Sequence, residues 1–307
     1  MSTESPSDLL KCFICTTCGT QFGRHQDPQS QPFGCRICAD PRQYVPSGGI
    51  NYTSLNDLRS NGKYQPIEHK NEITLLDPKN PNIYTIVTTP KFAIGQRCFF
   101  IKTPGGNVLW DLITFLDEAT ERWIREQGGL HAIVISHPHY YTTHRYWSGV
   151  FNNCPVYLSV EDREWLSFPE EGGNYQWILT PTQQILPGVT AIKVGGHFPG
   201  SLCLLHDKRL FIADSLVTVP SAHGPFGDEP PKGVTSYSFM WSIPNMIPMP
   251  PQDVASIVKA LEPWEFDSTH GAFNGMDVVR RDVKKRVLES ARIALAAMGY
   301  RVEEWLL

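Results

Sequence analysis

Residues 136–144 read SHPHYYTTH, which places three histidines within eight positions directly after the apolar run HAIVI. A short, continuously apolar run is typical of a strand buried on both faces, so the histidines should follow the carboxyl end of that strand. Two imidazoles at positions i and i+2 of a turn can converge on one cation, and ligands usually bind at this edge of a sheet. The segment therefore predicts a metal site that includes His137 and His139.

The composition indicates a globular protein. The chain has 307 residues, 41% of them hydrophobic, and a formal net charge of −4. No run of Lys or Arg exceeds the RR and KKR of DVVRRDVKKRV, which does not favour binding to nucleic acid or to an anionic membrane, and no 18 consecutive residues are apolar. The amino-terminal segment MSTESPSDLLKC lacks the apolar core of a secretory signal. We therefore predict a cytoplasmic protein without nucleic-acid or membrane partners, and homo-oligomerisation stays open.

Five of the eight cysteines crowd into residues 12–38, which favours metal binding over disulfide bonds. Gly19 and Gly34, next to two CxxC pairs, can supply the backbone angles that tight turns need. Cys12 is either an alternative ligand or a free thiol. The segment resembles a small zinc ribbon, and a site closed by four thiolates has no open position for a substrate. The predicted ligands of this structural zinc are Cys15, Cys18, Cys35 and Cys38.

These patterns divide the chain into a zinc-ribbon-like module at residues 1–45, a linker at 46–64 and a main domain at 65–307. The linker is rich in Gly, Pro, Ser and Asn and contains one short predicted helix at SLNDLRSN. In the main domain, strand pairs alternate with helices, which indicates an α/β fold.

Three elements of the main domain are predicted in more detail. The turn PGGN between two β-rich runs indicates a hairpin. LDEATERWIREQGG has the end signals of a helix, with Ala119, Trp123 and Ile124 on one face. A last helix is predicted over MDVVRRDVKKRVLESARIALAAMG, with an apolar stripe that begins at Val279.

From about residue 90 to 275, the order of motifs resembles the metallo-β-lactamase fold. A strand ends in VLWD, the next is followed by HxH, and GGHFPGS, AD and STHGAFNG come later. His139 and His197 are 58 positions apart, His197 and Asp214 are 17 apart, and Asp214 and His270 are 56 apart. These spacings are similar to those of that family. The resemblance implies a four-layer αββα sandwich with the metal site at one edge of its two sheets. The motif residues are Asp111, His137, His139, His197, Asp214 and His270.

The chain departs from the family where the motif HxHxDH carries ligands of a second metal. The motif's aspartate falls on Tyr141 and its last histidine on Thr142. The first metal's ligands, His137, His139 and His197, remain, with Asp214 and His270 as candidate further ligands, so we expect a mononuclear site. Two readings of His144 stay open, a substitute ligand or an ordinary loop histidine. Tyr141 is either a ligand or a hydrogen-bond donor to an oxyanion.

The resemblance implies a metal-dependent hydrolase that acts on an ester, lactone, lactam or thioester of a small, fairly hydrophobic molecule through a metal-activated water. Without the motif's aspartate another base is needed, and Asp214 or His270 is the candidate. Residues 236–251 form either an apolar lid or a plain covering loop. The ion is zinc or iron. The alternatives are an inactive binding or scaffold protein with a decayed site, and an iron-dependent oxidoreductase on the same fold.

Overall fold

The computed structural model describes residues 5–23, 34–60, 67–226 and 232–306. The chain divides into two compact units, residues 1–158 with 162–177 and residues 159–161 with 178–307. This division differs from the predicted boundaries, because the ribbon belongs to the first unit and the predicted main domain is shared by both. None of the described helices is long and apolar enough to cross a membrane.

The first unit begins with the cysteine-rich module. Its strand β1 pairs antiparallel with β2, with Cys15 opposite Tyr52. The segment predicted as a linker therefore supplies a strand to the ribbon, and its predicted short helix is present as α3; positions 61–64 of that segment lie outside the described residues. The elements are α1 (Pro6–Leu9), β1 (Ile14–Cys15), α2 (Arg36–Ala39), β2 (Tyr52–Thr53) and α3 (Leu55–Leu58).

The rest of the first unit is built on a sheet with strand order β3-β4-β5-β6-β7-β8-β9. The strands from β3 to β6 pair antiparallel, and β6, β7 and β8 run parallel. The predicted PGGN hairpin is confirmed as the β5–β6 connection. The elements are β3 (Lys70–Asp77), β4 (Asn80–Thr89), β5 (Cys98–Thr103), β6 (Gly106–Trp110), α4 (Glu118–Glu126), β7 (Ala132–Val134), α5 (His144–Val150), β8 (Val156–Ser159) and β9 (Tyr175–Ile178).

Helix α4 lies where the sequence predicts it, with Ile124 buried as expected, but Ala119 is not on its buried face. Asp117 caps the helix by accepting a hydrogen bond from the Thr120 backbone N–H. Thr120 and Ile124 are buried, whereas Ala119 is exposed. The prediction was wrong at Ala119. The neighbouring Thr120 takes the inward position instead, because a threonine can bury its methyl group as readily as an alanine can.

The second unit holds a sheet with strand order β10-β11-β12-β13-β18-β19. Strand β13 pairs parallel with β18, and the other neighbours are antiparallel. The elements are β10 (Thr182–Leu186), β11 (Val189–Lys193), β12 (Leu202–His206), β13 (Arg209–Phe211), β14 (Val217–Thr218), β15 (Tyr237–Ser238), β16 (Met240–Ser242), β17 (Ile247–Pro248), α6 (Pro251–Leu261), β18 (Ser268–His270), β19 (Asp277–Val279) and α7 (Val283–Ala297).

The last predicted helix starts later than the sequence indicated. Residues 277–279 form β19, with Val278 opposite Thr269 of β18, and α7 begins only at Val283. Val279, the predicted start of the helical stripe, is 73% exposed. The hydrogen bonds that β18 offers to this segment stabilise a strand that short-range periodicity does not reveal.

The core of the second unit lies between its sheet and its two long helices. Val254 and Ile257 of α6 pack in one apolar cluster with Val283 and Val287 of α7, and all four are buried. The same cluster includes Ile192 of β11 and Met249, which precedes α6. This packing fixes the surface on which the glycine-rich turn after β11 rests.

Candidate metal centres

The four predicted thiols of the ribbon lie together. The Sγ atoms of Cys15 and Cys38 are 3.6 Å apart and those of Cys18 and Cys35 are 3.5 Å apart. All four sulfur atoms lie within 4.8 Å of one another, and the four residues are buried. A tetrahedral ion with sulfur ligands at about 2.3 Å needs sulfur atoms about 3.8 Å apart, so the group fits a four-thiolate metal site. The zinc-ribbon-like segment is confirmed.

The turns of the ribbon use the expected glycines. Gly19 and Gly34 have φ values of +82° and +71°, which side chains rarely adopt. Gly19 is also crowded, because a Cβ atom there would lie 2.0 Å from Thr114 Oγ1. Cys12 is not in the four-sulfur group, and its thiol lies 3.7 Å from the Asp8 carbonyl oxygen.

The ribbon contacts the histidine segment within the first unit. The Gln21 backbone N–H donates to the Thr142 carbonyl at 3.1 Å, and the Ser167 hydroxyl donates to the Gln21 carbonyl at 2.6 Å. Thr142 has a φ of +37°, a strained conformation for a β-branched residue. The Thr143 hydroxyl donates to the carbonyl of Thr114 at 2.7 Å, and Thr114 is the residue against which Gly19 packs. The ribbon therefore supports the loop at its strained residue.

His137 and His139 follow β7, as the sequence predicts. Residues Pro138–Tyr140 form a single 3₁₀ turn, and the two imidazole centroids are 5.0 Å apart. Both residues are buried, at 1% exposure. Ser136 Oγ is hydrogen-bonded to His137 Nδ1 at 2.8 Å, which fixes the orientation of that ring. Sequence analysis missed Ser136, although its position next to the first histidine was a signal.

Asp111 anchors the strand end that carries these histidines. Its carboxylate accepts a hydrogen bond of 2.7 Å from the Ser136 backbone N–H, and its own N–H donates to the Val134 carbonyl at 2.8 Å. Its φ of +57° and its near-complete burial show that the surrounding structure imposes this conformation. We therefore assign Asp111 a positioning role for the segment that begins at Ser136.

Two residues of the loop after the HxH motif, Tyr141 and His144, are held by hydrogen bonds. His144 Nδ1–H donates to the Tyr141 carbonyl at 2.9 Å, and His144 Nε2 accepts from the Tyr175 hydroxyl at 2.8 Å. Burial lowers the pKa of His144 to about 3, so its imidazole is neutral at pH 7. The Tyr141 hydroxyl lies 3.4 Å from the Asp162 carbonyl, and burial raises its pKa. His144 does not belong to a group of potential metal ligands among the described residues.

His197 and Asp214 form a pair within the second unit. His197 Nε2 and Asp214 Oδ2 are 3.8 Å apart. His197 Nδ1–H donates to the Met240 carbonyl at 3.4 Å, a contact the sequence could not show because Met240 is distant in the chain. Ser215 Oγ donates to the Gly195 carbonyl at 2.5 Å and accepts from the His197 backbone N–H at 3.4 Å, so the residue after Asp214 ties the two motifs together.

The glycine-rich turn of GGHFPGS is closely packed. Gly195 and Gly196 have φ values of +66° and +87°. A Cβ atom on Gly196 would lie 2.9 Å from both the Ile257 Cδ1 and Met249 Sδ atoms, which belong to the core of the second unit. The sequence GGH is therefore required for backbone geometry and for a close approach to α6.

His270 ends β18, and its ring is held by the next strand. His270 Nδ1 and Asp277 Oδ1 are 2.8 Å apart, and the two residues are direct partners in the β18–β19 pairing. His270 is 3% exposed. Sequence analysis missed Asp277 because it assigned this stretch to a helix.

The comparisons with known proteins identify a relative and a fold. No family model matches the chain. The uncharacterized protein YmaE of Bacillus subtilis (strain 168) is 35% identical over 285 residues, which cover 91% of this chain and 94% of that protein.

Among solved structures, the DIM-1 metallo-β-lactamase is 14% identical with a TM-score of 0.53, and the match covers 74% of this chain and 98% of that one. VMB-1 is 13% identical with a TM-score of 0.52, covering 75% and 99%. FIM-1 from Pseudomonas aeruginosa, solved in its mono-zinc form, is 10% identical with a TM-score of 0.51, covering 74% and 96%. At these identities the likeness shows the fold, which confirms the predicted α/β metallo-β-lactamase fold. The chain belongs to the family of the Bacillus subtilis protein YmaE and has a metallo-β-lactamase fold with an amino-terminal zinc-ribbon-like segment.

Proposed function

We propose that the chain is a metal-dependent hydrolase whose single active-site ion is held by the motif residues His137, His139, His197 and Asp214, as the order of motifs on a metallo-β-lactamase fold implies. The observation that carries the proposal is the way in which two of the rings are held. Ser136 engages Nδ1 of His137 and the Met240 carbonyl engages Nδ1 of His197, so Nε2 is the nitrogen that each ring offers to an ion.

The donor set fits a catalytic transition metal. Three imidazole nitrogens and one carboxylate oxygen suit Zn²⁺ and Fe²⁺, and the all-sulfur group of the ribbon suits a structural Zn²⁺. When bound, the active-site ion polarises a carbonyl group and lowers the pKa of a water molecule toward about 7. The mono-zinc form of FIM-1, a protein to which the chain is similar, supports a single ion on this fold.

A single ion also agrees with the loop after the HxH motif. Tyr141 and Thr142 stand where the family has ligands of a second metal. His144, two residues farther along, uses both ring nitrogens in hydrogen bonds to Tyr141 and Tyr175. We therefore leave Tyr141 and His144 out of the proposed site.

Two residues of the second unit are suited to move protons. The Asp214 side chain is 11% exposed, so its carboxylate can accept a proton from the attacking water while it contributes to the ligand set. Asp277 engages Nδ1 of His270 and so orients Nε2 to donate a hydrogen bond or a proton to the leaving group. Catalysis would thus use Asp214 as base and His270 as acid.

A short hairpin next to His197 supports the proposed substrate class. Strand β16 contributes the Met240 carbonyl that contacts the His197 ring, and it pairs with β17. The tip of this hairpin exposes Ile243, Met246 and Ile247, with Met246 79% exposed. Exposed apolar side chains beside a polar site favour substrates with a hydrophobic part. We propose an ester, lactone, lactam or thioester of a small hydrophobic molecule.

Elemental analysis combined with a hydrolysis panel tests the proposal. The full chain should carry two metal equivalents, one in each centre, and it should hydrolyse at least one hydrophobic ester, lactone, lactam or thioester. His197→Ala should retain one equivalent and lose the hydrolysis. His223→Ala, which changes an exposed histidine of the same unit, should retain both.

Two results would count against the proposal. If His197→Ala and the unchanged chain hold the same amount of metal, the four residues do not form one centre. If the metal is lost as expected but the panel shows no turnover with zinc or iron, while oxygen is consumed with iron, the chain is an oxidoreductase.

A further inference from the structure

A cavity of about 590 Å³ opens between helices α6 and α7 and the last described residues of the second unit. Its floor is apolar and belongs to the core, since Leu261, Phe266 and Val287 are each at most 5% exposed. Val258 and Leu288 form partly buried walls. The proposed metal ligands are not among its lining residues, so the cavity is a separate feature.

The mouth of the cavity is basic. Its lining includes five cationic side chains and two carboxylates, those of Glu262 and Glu265. One cation, Lys284, is held by the Glu262 carbonyl at 2.7 Å and by the Glu265 carboxylate at 3.0 Å. The cations are Lys259, Arg281, Lys284, Lys285 and Arg292.

Three of these cations have no carboxylate partner within the described chain. Arg292 lies 4.0 Å from Glu289, whereas Lys259, Arg281 and Lys285 form no ion pair with a described residue. All three are exposed. An excess of positive charge therefore surrounds an opening whose base is apolar, and such an arrangement is complementary to a molecule with an anionic end and an apolar end.

We propose that this cavity binds a single-chain amphiphile with an anionic head, of the class of a medium-chain fatty carboxylate. The apolar tail would lie on Phe266, Val287 and Leu288, and the head would lie at the mouth near Arg281 and Lys285. An uncharged apolar ligand would leave the basic mouth without a role, and a small multivalent anion would leave the apolar floor unfilled. The volume is within the range of small-molecule sites.

Isothermal titration of the full, metal-loaded chain with sodium dodecanoate, kept below its micelle concentration, tests the proposal. One dodecanoate should bind per chain. Affinity should fall about fourfold for each methylene removed, as the burial of about 0.8 kcal/mol per methylene requires, so octanoate should bind far more weakly. Dodecyltrimethylammonium, with the same tail and a cationic head, should not compete.

Variants test the basic mouth and the apolar wall of the cavity separately. The double change Arg281→Glu with Lys285→Glu should weaken dodecanoate binding at least tenfold, and Leu288→Trp should weaken it by filling the wall. The matched control is Lys11→Glu with Lys79→Glu, which makes the same charge change at exposed lysines of the first unit and should leave affinity unchanged. Metal content and melting temperature show whether each variant is folded.

Several outcomes would overturn the proposal. These are absence of dodecanoate binding, equal binding of the cationic amphiphile, and affinity that is the same in the cavity variants and the control. Binding to phosphatidylglycerol vesicles without binding of monomeric dodecanoate would make the surface a membrane contact instead. His197→Ala should bind dodecanoate normally, so failure of this proposal and failure of the proposed hydrolase function are distinguishable.

Discussion

The two candidate metal centres are built in opposite ways. The four cysteines lie within residues 15–38 and share one small module, whose own turns bring the sulfur atoms together. The histidine and aspartate donors extend from residue 137 to residue 214, and two of the rings are oriented by different neighbours, His137 by Ser136 and His197 by Met240. A local motif can thus encode the cysteine group, whereas the orientation of the His197 ring depends on Met240, which is remote in sequence.

The comparison also reveals a dependence in one direction. The ribbon supports the histidine loop through the Gln21–Thr142 hydrogen bond and the packing of Gly19 on Thr114. The cysteine group, by contrast, is assembled from its own module and from β2. We therefore expect damage in the ribbon to reach the histidine loop, while loss of a histidine ligand leaves the ribbon intact.

The largest expected effect is that of Cys15→Ser. Metal binding by four-thiolate modules is coupled to folding and is worth about 10–16 kcal/mol in zinc-finger peptides, so loss of one thiolate should unfold the ribbon. We expect loss of the ribbon metal, a lower melting temperature, and weakened metal retention at the histidine site. Elemental analysis and thermal unfolding measure these effects.

Cys12→Ser is the matched control, because Cys12 is a buried cysteine of the same module outside the four-sulfur group. It should retain both metals. If Cys15→Ser retains them as well, the four-thiolate assignment is wrong.

Gly19→Ala tests the contact between ribbon and loop. An alanine there has to adopt a left-handed backbone conformation and to displace Thr114, so we expect a loss of about 2–4 kcal/mol in the free energy of unfolding. Gly49→Ala has a similar φ of +78° but nothing within 4 Å, so it should cost only about 1 kcal/mol. Denaturant unfolding compares the two, and equal losses would mean that the contact with Thr114 does not matter.

His144 gives the first unit a pH dependence. Its folded pKa of about 3 lies below the ordinary value of 6.5, so the unfolded chain binds the proton more tightly. The contribution of His144 to the free energy of unfolding is fully present above pH 6.5. It falls by about 1.4 kcal/mol per pH unit as the pH decreases toward 3. Between pH 6.5 and 4.5 the loss should be on the order of 2–3 kcal/mol.

The measurement is the free energy of unfolding against pH for the unchanged chain and for His144→Gln. Metal loss at acid pH affects both proteins, so their difference isolates His144. The slope should be smaller in His144→Gln and unchanged in His223→Gln, which alters an exposed histidine. Identical slopes in all three proteins would contradict the assignment of a buried neutral imidazole.

The parts of the fold that sequence could predict are those marked by strand-end motifs and turn residues. HAIVI followed by SHPH, and GGHFPGS after a strand, place His137, His139 and His197 correctly at strand ends, because buried strands and glycine turns have strong local signals. The CxxC pairs likewise indicate their own module.

The parts that sequence missed are those decided by remote partners. Residues 277–279 look helical in isolation, and only the pairing with β18 makes them a strand and places Asp277 beside His270. His144 has the spacing of a substitute ligand, but Tyr175, 31 positions later, occupies its Nε2. Neither partner can be read from a local pattern.

The smallest expected effect, that of Ser136→Ala, sharpens the comparison most directly. The Ser136 hydroxyl is hydrogen-bonded to the ring of a proposed ligand, so its loss should free the His137 ring. Partners of this kind typically contribute 10- to 100-fold to metal affinity, about 1.4–2.7 kcal/mol. We expect a loss of that size at the histidine site and no change at the ribbon, measured by competition with a chelator of known affinity.

Ser60→Ala is the control, because it removes a hydroxyl bonded to the Asp57 carbonyl at 2.6 Å in the same unit, and it should change the metal affinity of neither site. If Ser136→Ala also leaves both affinities unchanged, the Ser136 hydroxyl does not orient the His137 ring, and the contrast between the two centres rests on the contact of His197 with Met240 alone.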